Sequence, residues 1–278
     1  MISSNILSVV TFVYGLAAFL YLAAWVFKKP ISGQLGTWVT FLGWLGNTAA
    51  IGLRWYESYQ QGIGHAPLSN LYESLVFFAW TIVLLYLYME RRYKNRTIGV
   101  FILPLAFLAL AYASLSPNVP SAIQPLLPAL KSNWLIAHVI ACFIGYAAFA
   151  IAFGMSLMYL AKNNDETPTG RLTALFPSPR VLDELTYQMV MFGFLFLTVG
   201  IITGAVWANS AWGRYWGWDP KETWSLITWL VYAAMLHFRL MRGWQGKRIA
   251  YISIIGFLAV MITYFGVNYL PGLHSYGR

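Results

Sequence analysis

The apolar residues of this chain fall into eight long runs: 5–27, 35–53, 71–90, 97–115, 133–161, 185–207, 221–241 and 249–267. A helix needs about 20 mostly apolar residues to cross the hydrocarbon core of a bilayer. Each run therefore predicts a spanning helix. The expected fold is an all-α integral membrane protein of about eight transmembrane helices, one polytopic domain over residues 1–278. The fifth run is long enough to tilt or to project from the bilayer. The first lacks the basic start and small-residue cleavage site of a signal peptide, and reads as a span.

Between the runs lie short polar connections, and their charges orient the chain. Thirteen of the eighteen Lys and Arg residues follow odd-numbered runs, among them Lys28, Lys29, Arg91, Arg92, Lys94 and Arg96. The opposite face holds only Arg54, Lys131, Arg214, Lys221 and Arg278. Lys and Arg collect in cytoplasmic loops, so both termini and the tryptophan-rich connection 208–222 are expected on the outer side. The 116–131 segment, SPNVPSAIQPLLPALK, reads as a turn-rich outer stretch. The 162–184 segment reads as a solvated cytoplasmic connection.

Composition supports this picture. Hydrophobic residues make up 59% of the chain and charged residues 10%, against roughly a quarter charged in soluble domains. No polar stretch is long enough to form a soluble domain. The net charge of +9 reflects topology and gives no reason to expect a nucleic-acid partner. The one cysteine, Cys142, lies inside an apolar run. Without a CxxC or a disulfide partner, thiol redox chemistry belongs to another protein. There is no HExxH, phosphate-cradling Gly-rich loop or nucleophile elbow, so hydrolysis and nucleotide chemistry have no support.

Candidate chemistry concentrates between Trp207 and Trp229, a stretch holding six of the thirteen tryptophans. Asp219-Pro220-Lys221-Glu222 predicts a helix start: Asp219 as cap, Pro220 at the first position, Glu222 reaching back. Trp212, Tyr215, Trp216 and Trp218 fall within seven residues. They form either part of an interfacial aromatic belt or a dedicated flat platform. Trp212 and Trp216 would share a face if the connection were helical. His138 lies roughly 7–8 Å below the outer end of its run at 1.5 Å per residue, and His274 follows the last run on the same side. His237 lies about 25 Å along the seventh run from Pro220, near the inner leaflet. A histidine within a span is costly and usually functional, and imidazole is an axial ligand of heme iron. For any one of them, interhelical hydrogen bonding is an equal reading. His65 reads as a solvated loop residue beside the polar helix entry at Ser69–Glu73. Arg54 and Arg214 are propionate partners or interfacial anchors. Glu57, Glu73, Asp219 and Glu222 form an acidic rim or, more commonly for such carboxylates, caps and ion pairs.

The stretch AWGRYWGWDPKETWSLITWLVYAAMLH resembles the tryptophan-rich WWD signature of the heme-handling proteins of cytochrome c maturation. The segment GHAPLSNLYESLVFFAW, the eight runs and the histidines at 138, 237 and 274 make the resemblance specific to the CcsA (ResC) family of system II. The related CcmC proteins share the loop but have six spans, and CcmF proteins are much longer. The resemblance implies heme b as cofactor, with His138 and His274 as axial ligands holding it against Trp212, Trp216, Trp218 and Asp219. It implies His237 as one ligand of a second site within the membrane, the other coming from a CcsB/ResB-like membrane partner. The implied function is to move heme to the outer face and present it to the CxxCH motif of apocytochrome c for thioether attachment, as half of a two-component heme lyase. No catalytic residue is indicated. Lipid and a bacterial cytoplasmic membrane, or alternatively a thylakoid, are the expected surroundings. A heme exporter without attachment activity and a b-type electron-transfer protein are the alternatives.

Overall fold

The computed structural model describes residues 1–163 and 172–270. Each apolar run corresponds to one helix: α1 (Ile2–Phe27), α2 (Pro30–Gln60), α3 (Leu71–Tyr93), α4 (Gly99–Leu115), α5 (Asn133–Asn163), α6 (Pro179–Trp212), α7 (Pro220–Arg242) and α8 (Lys247–Tyr264). The fourth run starts two residues before its helix, and the eighth ends three residues past its own, in a short 3-10 turn over Gly266–Tyr269. No strand occurs among the described residues. Six helices, α1, α3, α5, α6, α7 and α8, are long and apolar enough to cross a membrane. Helix α4 is apolar but has only 17 residues, a rise of about 26 Å. Helix α2 has 31 residues, and its glycines, Asn47, Arg54 and Glu57 lower its apolar character. The helices form two compact units, α1–α4 and α5–α8.

In the first unit, α1 buries Leu7, Val10, Tyr14, Ala17 and Tyr21, a stripe at alternating three- and four-residue steps that lies on one helical face. Helix α2 receives the tyrosines with glycines. A Cβ on Gly43 would stand 2.7 Å from the Tyr14 ring, and one on Gly36 would stand 3.3 Å from Tyr21. Small residues let helix backbones approach where lipid supplies no hydrophobic drive of its own.

A buried ion pair fastens the end of this unit. Arg54 meets Glu73 at 2.9 Å with both side chains almost fully buried. Arg54 also donates to the Ser121 carbonyl at 2.9 Å, and Glu73 accepts from the Ser69 N–H and hydroxyl. Asn70 caps α3 by accepting the Glu73 N–H. Arg54 is thus neither a propionate partner nor an interfacial anchor; its guanidinium ties α2 to the 116–131 segment. His65 is likewise not solvated. It is buried, with Nδ1 2.8 Å from the Ala66 carbonyl and Nε2 3.0 Å from the Gln124 carbonyl. Glu57 accepts from the Ile2 and Ser3 N–H groups at 2.8 and 3.1 Å. These carboxylates are caps and ion-pair partners, the commoner of the two expectations.

In the second unit, α5 and α6 lie closely side by side. A Cβ on Gly145 would stand 3.0 Å from the Gly193 carbonyl oxygen, and one on Gly200 would stand 2.6 Å from Cys142 Sγ. Helix α8 packs on α5 and α7, with Phe153 of α5 on Phe257 at 4.8 Å, while Tyr232 of α7 stacks on Phe149 of α5 at 3.7 Å. Helix α6 exceeds its predicted run at both ends. Ser178 caps its start by accepting the Val181 N–H, so residues 179–184 are helical and leave the expected connection. At the other end the helix continues past Trp207 through Ala208-Asn209-Ser210-Ala211, none of which breaks a helix. It stops where Gly213 adopts φ 72°, the left-handed cap that glycine takes without strain.

Glu73→Ala leaves Arg54 buried and uncompensated, and is expected to cost about 3–5 kcal/mol. The measurement is the folded fraction across an SDS titration of the purified protein. The double substitution Arg54→Met/Glu73→Leu should recover much of that loss.

Candidate functional site

The tryptophan-rich connection is shorter than 208–222 and consists of Gly213 to Asp219. Both halves of the expected capping box form: the Asp219 carboxylate accepts N–H groups of the first turn of α7, and Glu222 reaches back to the cap. The Glu222 carboxylate does more than the sequence pattern indicated. One oxygen accepts the Gly217 N–H at 2.7 Å and the Asp219 N–H at 3.2 Å. Trp218 sits between those two anchored residues at φ 56°, a left-handed conformation that is unusual for a bulky side chain. Its indole is 68% exposed. Strain of this kind persists only where the surroundings over-determine it, and Glu222 provides that restraint.

The tryptophans divide into two groups. Because α6 ends at Trp212, Trp212 and Trp216 do not share a helical face. Trp212 packs on Trp207 with ring centroids 5.0 Å apart. Trp216 meets Trp218 edge to face at 5.8 Å. Arg214 folds back over the loop, since a Cβ on Gly217 would stand 2.7 Å from its guanidinium carbon. Trp207 is buried, donates its indole N–H to the Ala129 carbonyl at 2.8 Å, and lies parallel to His138 at 6.0 Å.

His138 occupies the second turn of α5 and is half-buried. Its Nδ1 lies 2.7 Å from the Gly200 carbonyl oxygen. A carbonyl only accepts, so this contact assigns the ring N–H to Nδ1 and makes Nε2 the basic nitrogen. Metal-binding histidines take this arrangement, with one nitrogen oriented by a carbonyl and the other able to ligate. Gly204 makes room for the ring: a Cβ there would stand 2.6 Å from Nδ1. Cys142 Sγ lies 3.7 Å from the same nitrogen. The Gly200 carbonyl and Gly204 were not singled out by sequence, and Trp207 was read only as the start of the tryptophan-rich stretch. The GIITG spacing at 200–204 inside an apolar run was the available signal, as a mark of close helix approach.

His237 has a different environment. It is exposed on α7, in line with Ile227, Leu230, Ala234 and Met241, a stripe at helical spacing. Near the end of α7, Arg239 pairs with Asp183 and Glu184 of α6. His274 lies outside the described residues. His65 belongs to the first unit, and each of its ring nitrogens already faces a carbonyl.

Among the described residues no group of three or more His, Cys, Asp and Glu stands together. A porphyrin supplies the equatorial nitrogens itself and asks the protein for axial ligands and a flat apolar wall. His138 can supply one such ligand, the neighbouring indoles can supply apolar surface, and Arg214 can supply a cation for a carboxylate.

Comparison with known proteins agrees with this chemistry. The family model described as cytochrome c assembly protein matches residues 68–274. The cytochrome c biogenesis protein CcsA of Pyropia yezoensis is 39% identical over 313 residues, covering 97% of each chain. That of Prochlorococcus marinus is 44% identical over 251 residues, covering 81% of this chain and 78% of its own. Among solved structures, the cytochrome c heme lyase CcmF superposes with a TM-score of 0.69 at 17% identity, over 95% of this chain. The chain spans about half of that structure's length, 49%, and at this identity the likeness shows the fold alone.

Glu222→Ala removes the acceptor for two loop N–H groups and is expected to cost about 1–2 kcal/mol locally. The readout is chymotryptic cleavage at Tyr215–Trp218, which should rise several-fold. Trp218→Gly should relieve the left-handed strain and raise thermal stability by about 1 kcal/mol. A fall in stability on that substitution would show that indole packing outweighs the backbone strain.

Proposed function

This chain belongs to the CcsA family of cytochrome c assembly proteins and acts in cytochrome c maturation as a multi-pass membrane protein, and we propose that it binds heme b as its substrate and presents it at the outer membrane face. The reading takes the chain as one polytopic domain with both termini and the tryptophan loop on the outer side. The observation that carries it is the His138 imidazole, held by the Gly200 carbonyl through Nδ1 and lying parallel to Trp207. In this reading Nε2 of His138 ligates iron on one side and His274 on the other. Trp212, Trp216 and Trp218 cover a porphyrin face beside the cap residue Asp219, and Arg214 faces a propionate. The open edge of the porphyrin meets the CxxCH motif of apocytochrome c.

Attachment needs the substrate's thiols and reduced iron. The two carboxylates closest to the loop, Asp219 and Glu222, are engaged with backbone N–H groups. In this reading neither serves as a general acid or base, and the contribution of this chain is orientation. Holding reactants in register removes much of the entropic part of a barrier. The histidine of CxxCH then displaces one axial ligand, and His274 is the one proposed.

His237 serves an inner site completed from outside the chain. An imidazole on the exposed face of a spanning helix is costly in lipid unless it has a partner. The stripe Ile227, Leu230, Ala234 and Met241 around it gives a CcsB/ResB-like membrane protein an apolar face to pack on, and that protein supplies the second ligand. A bacterial cytoplasmic membrane is the proposed location, with the thylakoid as alternative.

The test is the absorption spectrum of the protein purified with its partner and supplied with heme. Wild type should give a reduced b-type spectrum. His138→Ala and His274→Ala should each weaken it, His237→Ala should remove a separate fraction, and Gly204→Val should match His138→Ala by displacing the ring. A heme-free wild type, or heme content unchanged in all four variants, would overturn the reading.

A further inference from the structure

In the first unit, a cavity of about 260 Å³ is bordered by the ends of α1 and α3 and the starts of α2 and α4. Its lining includes Lys28, Lys29, Lys94 and Arg96, with Trp25 and Tyr21 as aromatic walls. The charge there is unbalanced. Arg96 lies 3.3 Å from Glu90, the carboxylate that also accepts the Tyr21 and Tyr86 hydroxyls. Lys28, Lys29 and Lys94 have no carboxylate within ion-pair distance among the described residues.

The lysines are held beside the cavity by backbone. Lys28 and Lys94 terminate α1 and α3 at φ 55° and 52°. Of the three left-handed residues other than glycine among the described residues, two therefore line this cavity. Glycine would make both turns without strain, so lysine at both positions points to a use for its ammonium group. The wall is also fixed. Trp25 donates to the Leu172 carbonyl at 2.8 Å and stacks on Phe176 at 5.4 Å.

Three unpaired ammonium groups and a guanidinium around a small cavity fit a compact polyoxygen anion. The lining contains no His, Met or Cys to bind iron, and the volume is too small for a porphyrin. The positive-inside bias puts these connections at the cytoplasmic surface, where basic pockets between spanning helices take lipid headgroups. We propose that this cavity binds a phosphate group, delivered as the headgroup of an anionic phospholipid. The site is independent of the heme-handling reading, because none of the proposed heme ligands lines it.

The test is native mass spectrometry of the full chain released from detergent after delipidation, titrated with phosphatidylglycerol, phosphatidylcholine or inorganic phosphate. Phosphatidylglycerol should be retained at lower concentration than phosphatidylcholine. With each cation near the surface contributing about a fivefold factor, Lys94→Gln should weaken retention about fivefold and Lys28→Gln/Lys29→Gln/Lys94→Gln on the order of a hundredfold. Arg91→Gln/Arg92→Gln removes two charges from the same connection without touching the lining, and should retain the lipid. Circular dichroism of each variant establishes that it is folded, and the single Lys94→Gln substitution carries the test if the triple variant is not. Saturable adducts with inorganic phosphate that block phosphatidylglycerol would confirm the phosphate site. Phosphate binding without phosphatidylglycerol binding would make a soluble anion its occupant and overturn the lipid assignment. Equal retention of both lipids, or equal losses in the lining and Arg91/Arg92 variants, would overturn the site.

Discussion

The candidate site depends on how closely α6 approaches α5. Glycines at 145, 193, 200 and 204 remove the side chains that would hold the two backbones apart. In lipid, neighbouring helices gain little from excluding water, so close van der Waals contact supplies most of the attraction. The same closeness has a chemical result. With no Cβ on Gly204, the His138 ring reaches the Gly200 carbonyl, and that single hydrogen bond sets both its orientation and its tautomer. A packing requirement and a ligand requirement are met by the same two glycines. A substitution intended to loosen the helix pair therefore also alters the imidazole.

The tryptophan loop is governed by the accounting of backbone polar groups at a helix start. The first N–H groups of α7 lack intrahelical partners, and the Asp219 and Glu222 carboxylates accept from two of them and from the loop before them. The Glu222 contacts on either side of Trp218 hold it in a conformation it would not choose. In the heme-presenter reading, an aromatic loop restrained in this way loses less conformational entropy when it meets a flat ligand.

The apolar runs were enough to locate all eight helices, because a long continuous apolar stretch has to satisfy its backbone within a helix, although only six of the eight are long and apolar enough to cross a membrane. The capping box was legible for a related reason: it is local, four residues long, and its geometry follows from spacing. Two of the features that were misread depend on distant residues. Arg54 and His65 read as surface groups because their partners, the carbonyls of Ser121 and Gln124, lie in a segment more than fifty residues later in the chain. The end of α6 was placed too early because Asn209 and Ser210 are polar yet compatible with a helix. The glycine that actually stops it acts through its backbone, and hydrophobic patterning does not report that. For His138 the sequence indicated depth but not orientation, since the orienting group is a main-chain oxygen on another helix.

His138 and His237 lie on the same unit yet are prepared to different degrees, and the difference bears on direction. His138 is oriented before any ligand arrives: its ring is stacked, its tautomer set and its neighbours fixed. His237 is exposed on a helix face, and in the heme-presenter reading it is completed when another protein packs against that face. Preorganised ligands bind more tightly because less must be ordered on binding, and outer-shell hydrogen bonds raise ligand basicity. In the heme-presenter reading the inner site is therefore the looser of the two, and transfer towards the outer face runs downhill in affinity without a coupled energy source. The same reading proposes His274 as the ligand finally displaced, because an imidazole held by the Gly200 carbonyl and by Trp207 is the harder one for the histidine of apocytochrome c to replace.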